Sequence, residues 1–120
     1  QMGGGFQGAE LNLSTVVTTL AGSSGSSGSA NDTGTEASFN EPFFNTTDGT
    51  NLFTTDYKNY LIRKIVISTG VVTTLAGTGS SGSANGTGTA ASFNTPVDVT
   101  TDGTNLYVAD YGNNLIRKIE

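Results

Sequence analysis

Hydrophobic and polar residues alternate over short runs in the second half of the chain, with turn residues between the runs. The runs VVTTLA, PVDVTT, NLYVAD and LIRKI occupy residues 71–76, 96–101, 105–110 and 115–119. Short runs rich in β-branched and aromatic residues, bounded by Gly, Asn and Asp, are typical of β-strands. The Asp-Gly and Asn-Asn pairs between them favour hairpin turns. The pattern therefore predicts four short antiparallel strands.

The same pattern occurs twice. Residues 28–65 align with residues 82–119 at an offset of 54, and 27 of these 38 positions are identical. Upstream, VVTTLAG occurs at residues 16–22 and again at 71–77. Repeats of about 50 residues are typical of solenoids and β-propellers. We divide the chain into a tail (1–13) and two units (14–67 and 68–120), each an outer strand followed by a blade core.

The repeated motifs resemble a known blade family. The patterns A-S-F-N-x-P-x-x-V and D-G-T-N-L-Y-V-A-D-Y-G-N-N-L-I-R-K-I closely resemble the NHL repeat. This resemblance implies an all-β propeller built from four-stranded antiparallel blades, two per chain. The first copy departs from the pattern, since Phe-Phe-Asn at 43–45 replaces Val-Asp-Val at 97–99. Leu61 and Leu115 also stand where the family usually has Arg.

Two blades leave apolar faces without a neighbour, because a blade packs between two others. We therefore expect a homo-oligomeric ring with head-to-tail interfaces, in which a trimer of six blades is favoured over a tetramer of eight. The outer strand at 14–20 has no blade of its own, so we expect strand exchange at the N-terminus to close the ring. The alternative is that the chain is a fragment or an engineered blade pair.

Each Gly/Ser-rich loop ends in Ala-Ser-Phe. We expect residues 37–39 and 91–93 to form short helical turns that place Phe39 and Phe93 between blades. Pro42 and Pro96 then begin the inner strands, where a missing N–H costs little.

Composition narrows the chemistry. The chain has no Cys and no His, a net charge of −5 and only five Lys and Arg residues. We therefore expect no metal and no cofactor, and the charge argues against nucleic acid and anionic membranes as partners. The remaining candidate partners are other copies of this chain, another protein or a glycan. A cysteine-free chain rich in Ser, Thr and Asn is compatible with an extracellular or cell-surface location.

The candidate ligand-binding residues are aromatic and amide side chains near one rim, the types that bind sugars: Tyr57, Asn59, Tyr60, Tyr111, Asn113 and Asn114. The alternative is that Tyr packs the blades and Asn serves left-handed turns. Asp56 and Asp110 are rim ligands or, as we favour, turn acceptors of backbone N–H groups. Asp48 and Asp102 are interpreted as turn residues.

The strand arginines and Asp98 have structural or conditional interpretations. We expect Arg63 and Arg117 to make contacts between blades or to lie on solvated edges. Asp98 on the inner strand is a candidate member of a carboxylate ring. No catalytic residues are assigned, because serine hydrolysis requires a positioned base and His is absent. The predicted function is a non-catalytic structural or binding propeller, with a lectin-like propeller as the alternative and a carboxylate-based hydrolase least favoured.

Overall fold

The computed structural model describes residues 11–120, and within them the protein is all-β, with two antiparallel sheets. The first sheet has the order β1-β2-β3-β4 and the second β5-β6-β7. The strands are β1 Pro42–Thr47, β2 Asn51–Asp56, β3 Leu61–Val66, β4 Val72–Ala76, β5 Pro96–Thr101, β6 Leu106–Asp110 and β7 Leu115–Ile119. The two sheets do not close into a ring. No helix in this part of the chain is long and apolar enough to cross a membrane.

The hairpins form as predicted, with Asp48 at the first turn. Its Oδ1 accepts hydrogen bonds from the N–H groups of Thr50 and Asn51 at 2.9 and 2.7 Å. In the second sheet Asp102 holds the equivalent turn in the same way. The interpretation of Asp48 and Asp102 as turn residues is confirmed.

The outer strand predicted at 14–20 is not a strand in the single chain. These residues carry no strand assignment and are all exposed. The second sheet accordingly has three strands and not four. The physical reason is that β-strands require a partner for their backbone hydrogen bonds, and the chain's own second copy of this sequence, β4, already pairs with β3.

The helical turns lie earlier than predicted. In the Gly/Ser-rich loops, 3-10 turns span Gly34–Glu36 and Gly88–Ala90, and Ala37 is already extended, with φ −80° and ψ 160°. Two further 3-10 turns, Tyr57–Asn59 and Tyr111–Asn113, connect β2 to β3 and β6 to β7. Gly34 has a φ of +60°, a left-handed conformation that glycine adopts without steric cost, so the turn begins there.

The core lies between the sheets. The face of the first sheet that carries Ile62 and Ala76 packs against the face of the second sheet that carries Val99 and Val108. The buried side chains of this cluster are Ile62, Ala76, Phe93, Val99, Leu106 and Val108. Phe93 is therefore located between the sheets, and is only 2% exposed. Its counterpart Phe39 is half-buried and packs on Ala37, Ile65 and Val72, on the free side of the first sheet.

Candidate functional site

The loop-rich rim is held by a buried ion pair in each unit. Asp56 ends β2, and its Oδ2 accepts hydrogen bonds from Arg63 Nη1 at 2.6 Å and Asn59 Nδ2 at 2.7 Å. Its Oδ1 accepts the Asn40 N–H at 2.8 Å. Asp56 thus accepts a backbone N–H, but from the loop before β1 and not from its own turn as expected, and it also pairs with a buried cation.

The second unit repeats this network. Asp110 Oδ2 accepts Arg117 Nη1 at 2.8 Å and Asn113 Nδ2 at 2.7 Å, and Oδ1 accepts the Asn94 N–H. The same contacts at an offset of 54 residues show that the network is a property of the repeat and not of one unit.

The arginine of each network fastens the Gly/Ser-rich loop to the sheet. Arg63 donates to the carbonyl oxygens of Ser38 and Ala30 at 2.9 Å each, and its guanidinium lies 4.8 Å from the Phe39 ring centroid. It is fully buried. The prediction that Arg63 and Arg117 contact a neighbouring blade or lie on solvated edges is therefore wrong. Each is drawn inward because the loop carbonyls and the aspartate replace its hydration shell.

A sequence signal for this pair was present. Each unit contains an Asp at the end of its second strand and an Arg seven residues later. Alternation places these two residues on the same sheet face, on neighbouring strands.

Four of the six predicted ligand-binding residues have structural roles, two through their side chains and two through their backbone. Asn59 and Asn113 donate to the loop carbonyls of Gly28 and Gly82 at 2.7 Å, as well as to their aspartates. Tyr60 and Asn114 adopt the left-handed conformation, each with φ 58°, that ends the 3-10 turn. The amide groups of Asn59 and Asn113 are therefore committed to the loop, a role that neither interpretation predicted, and only Asn114 serves a left-handed turn as the alternative proposed.

Of the two remaining tyrosines, Tyr111 is exposed and Tyr57 is half-buried. Tyr111 is 68% exposed. Tyr57 stacks on Phe43, with ring centroids 4.7 Å apart and an interplanar angle of 16°. Phe43 and Phe44 follow Pro42 at the start of β1 and are 56% and 53% exposed. We call Phe43, Phe44 and Tyr57 the aromatic patch.

The aromatic patch has a charged border and occurs in one unit only. Lys58 Nζ lies 2.8 Å from Glu41 Oε2, and this pair raises the pKa of Lys58. In the second unit, Val97 and Asp98 stand at the positions of Phe43 and Phe44. Sequence reasoning noted this divergence but did not assign it to the site. The signal was the replacement of a Val-Asp pair by two aromatic residues beside a rim tyrosine.

The acidic residues of the described part of the chain form no metal-binding cluster, and Asp48 and Asp102 are held in turns. No group of three or more His, Cys, Asp or Glu residues capable of holding a metal ion occurs within residues 11–120. Asp98 is exposed, and Phe44 occupies its counterpart position in the first unit. The lowered pKa values of Asp48 and Asp102 arise from backbone N–H donors in their turns, so these carboxylates are held ionised.

No family model matches the sequence, and no curated protein matches it. Solved structures do. A structural genomics protein of unknown function from Bacteroides thetaiotaomicron is 32% identical with a TM-score of 0.76, over 82% of this chain and 26% of that chain. An auxiliary nutrient binding protein from the same organism is 26% identical with a TM-score of 0.76, over 84% and 28%. A provisionally named phosphatase of that organism is 28% identical with a TM-score of 0.71, over 83% and 26%. This chain spans about a quarter of the length of each of these proteins.

Proposed function

We propose that this protein is a non-catalytic binding module, an NHL-like β-propeller assembled from several copies, with its ligand site on the loop-rich rim. The observation that carries the binding role is the stack of exposed Phe43 on half-buried Tyr57, beside turns whose Asn59 and Asn113 amides are already bound internally. Large exposed apolar groups on a rigid frame are characteristic of interaction sites. Similarity to an auxiliary nutrient binding protein supports the same role.

The aromatic patch favours a ligand with a flat apolar face. Stacked aromatic rings bind such faces through apolar contact, and the hydroxyl of Tyr57 and the exposed Glu41–Lys58 pair supply polar partners at the border. A pyranose ring combines one C–H face with hydroxyl groups at its edge. A lectin-like carbohydrate site is therefore the specific form of the proposal.

Assembly is supported by the unequal burial of equivalent residues. Ile62 of the first unit is 0% exposed, because the second sheet covers it, whereas Ile116, its counterpart in the second unit, is 74% exposed. The free face of the first sheet carries a cleft of about 360 Å³ that includes Phe39, Leu52 and Ile65 in its lining. In the proposed ring, the exposed face of the second sheet around Ile116 packs against the free face of the first sheet in the next copy. This contact repeats the one that buries Ile62 within a single chain. Three copies would supply six blades and four copies eight.

Light scattering after size exclusion tests the assembly. We expect a mass of three or four times 12.2 kDa for the unaltered chain, and dissociation of Ile116→Asp, because a carboxylate cannot be buried unpaired in the interface. Thr104→Asp, at an exposed turn, is the control and should keep the mass. A stable 12.2 kDa species for the unaltered chain would contradict the ring.

A glycan array, followed by calorimetry with the best glycan, tests the binding role. We expect Phe43→Ala and Tyr57→Ala each to weaken binding at least about fivefold, since stacking on one aromatic ring contributes about 1 kcal/mol or more. Thr104→Ala is the control and should bind normally. Binding that persists in both aromatic variants would place the site elsewhere, and an array without binding would refute the carbohydrate form.

A further inference from the structure

The open edge of β7 borders a cleft at the position that β4 occupies in the first sheet. The cleft, about 510 Å³, is lined by residues 115–120 on one side and 85–88 on the other. In the first sheet the equivalent space lies between β3 and residues 31–34, and β4 fills it. Thr33 forms a β-bridge with Val71, and the Val72 N–H donates to the Asp32 carbonyl at 2.8 Å.

The chain carries a second copy of the sequence that fills this space. Residues 16–22 read VVTTLAG, identical to residues 71–77 that contain β4. The two copies differ completely in environment, since Val17 is 93% exposed and its counterpart Val72 only 1%. The segment 16–20 therefore has the sequence of an outer strand without the contacts of one.

Gly22, two residues after this segment, makes the same backbone hydrogen bond as Gly77, the residue after β4. The Gly22 N–H donates to the Gly34 carbonyl at 3.1 Å, and the Gly77 N–H donates to the Gly88 carbonyl at 3.2 Å. The glycine that ends each VVTTLAG copy is thus hydrogen-bonded to the same position of the Gly/Ser-rich loop that follows it. From that point β4 runs along the preceding sheet, so residues 16–20 are placed to run along a sheet that would precede the first unit.

We propose that residues 16–20 of one copy pair antiparallel with β7 of a second copy and complete its sheet as the fourth strand. This inference rests on the ring assembly proposed above and identifies what joins its members. The register follows from β3 and β4, where Arg63, Lys64 and Ile65 face Thr74, Thr73 and Val72. The intermolecular pairs are then Arg117 with Thr19, Lys118 with Thr18, and Ile119 with Val17.

The added strand would also cover the ion pair of the second unit. Thr74 Oγ1 donates to Asn31 Oδ1 at 3.3 Å, and this oxygen also accepts Arg63 Nη2. Asn85 Oδ1 already accepts Arg117 Nη2 at 3.0 Å, and Thr19 supplies the matching hydroxyl. Arg117 remains 8% exposed while Arg63 is fully buried, as expected where this strand is missing.

Cysteine pairing tests the register directly, because the chain has no cysteine of its own. Val66 and Val71 form a hydrogen-bonded pair at 2.9 Å, so the adjoining Ile65–Val72 pair is of the non-hydrogen-bonded kind, with Cα atoms about 4.5 Å apart. This spacing suits a disulfide. Mixing Val17→Cys with Ile119→Cys chains should give a disulfide-linked dimer on a non-reducing gel that a reductant removes.

The matched control is Thr18→Cys mixed with Ile119→Cys. A shift of one residue places the thiol on the opposite face of the strand, so this mixture should give at least about tenfold less dimer. Each single variant alone measures the background of accidental pairing. As a second readout, the amides of residues 16–20 should exchange slowly in the assembled protein and rapidly in the Ile116→Asp variant.

The possible outcomes separate the two proposals. If the unaltered chain has an oligomeric mass but the Val17/Ile119 mixture links no better than the control and amides 16–20 exchange rapidly, strand exchange is wrong and the ring forms by face packing alone. If the unaltered chain is a monomer, the ring itself is refuted, and strand exchange with it.

Discussion

Arg63 Nη1 lies 2.6 Å from Asp56 Oδ2, and neither side chain is exposed to solvent. The pair joins β3 to the end of β2, and through the Arg63 hydrogen bonds to Ser38 and Ala30 it also holds the long loop. Loops of this length have a high conformational entropy. A buried cation that binds several loop carbonyls is therefore an effective way to fix the rim.

Substitution of Arg63 should lower the free energy of unfolding far more than substitution of the adjacent Lys64. Arg63→Ala leaves Asp56 buried without its cation, so we expect the free energy of unfolding to fall by about 3–5 kcal/mol. Lys64→Ala, at the adjacent half-buried position, should change it by less than about 1 kcal/mol. Urea denaturation at pH 7, followed by circular dichroism, measures both. Equal losses in the two variants would show that the ion pair does not hold the loop.

Phe93 and Phe39 should contribute unequally to the free energy of unfolding. Phe93 is 2% exposed between the sheets, whereas Phe39 is half-buried on the free side. Phe93→Ala should lower the free energy of unfolding by about 3–5 kcal/mol, and Phe39→Ala by clearly less at concentrations where the protein is monomeric. Urea midpoints of both variants, measured over a range of concentrations, check this. A larger loss for Phe39→Ala in the monomer would contradict the assignment of the core.

Gly77 and Gly79 form a matched pair for testing a close backbone approach. Both have positive φ, +113° and +91°, but a Cβ on Gly77 would lie 2.6 Å from the Tyr60 carbonyl oxygen, while one on Gly79 would meet nothing within 4 Å. Gly79→Ala should cost about 1 kcal/mol from backbone strain alone, and Gly77→Ala at least about 1 kcal/mol more. Thermal unfolding gives both values. Similar melting temperatures would mean that the backbone relieves the contact at Gly77.

Asp102 should make stability depend on acid pH. Its Oδ1 accepts the N–H groups of Asn105 and Thr104, its Oδ2 accepts the Tyr107 hydroxyl at 2.8 Å, and together these donors lower the pKa from 3.8 to about 2. Because the folded pKa lies below the unfolded one, the stabilisation is complete above pH 3.8 and is lost as the pH falls through about 2.

Carboxyl carbon NMR titration measures this directly. Tyr107→Phe should raise the pKa of Asp102 toward that of Asp48, whose turn lacks the tyrosine because Phe53 occupies the equivalent position. The Asp48 pKa itself should not change in this variant and serves as the internal control. An unchanged Asp102 pKa would show that the tyrosine hydrogen bond does not form in solution.

The sequence by itself determined the repeat, the hairpins and the strands β1 to β7. These features depend on alternation and on turn residues such as Asp48 and Gly49, whose preferences act over two to four neighbours. The tertiary structure decided the rest. Arg63 is buried because Ala30, 33 residues away, offers its carbonyl, and a linear pattern does not encode that contact.

Contacts between distant residues also explain why the candidate site differs from its prediction. Asn59 was predicted as a ligand group, but the Gly28 carbonyl, 31 residues away, occupies its amide. Phe43 was not assigned to the site, although the fold stacks it on Tyr57. Residues 16–20 have a strand sequence but do not form a strand in the single chain, because a strand exists only where another edge accepts its hydrogen bonds. Local sequence sets which backbone conformations are favourable, and distant partners decide which of them is realised.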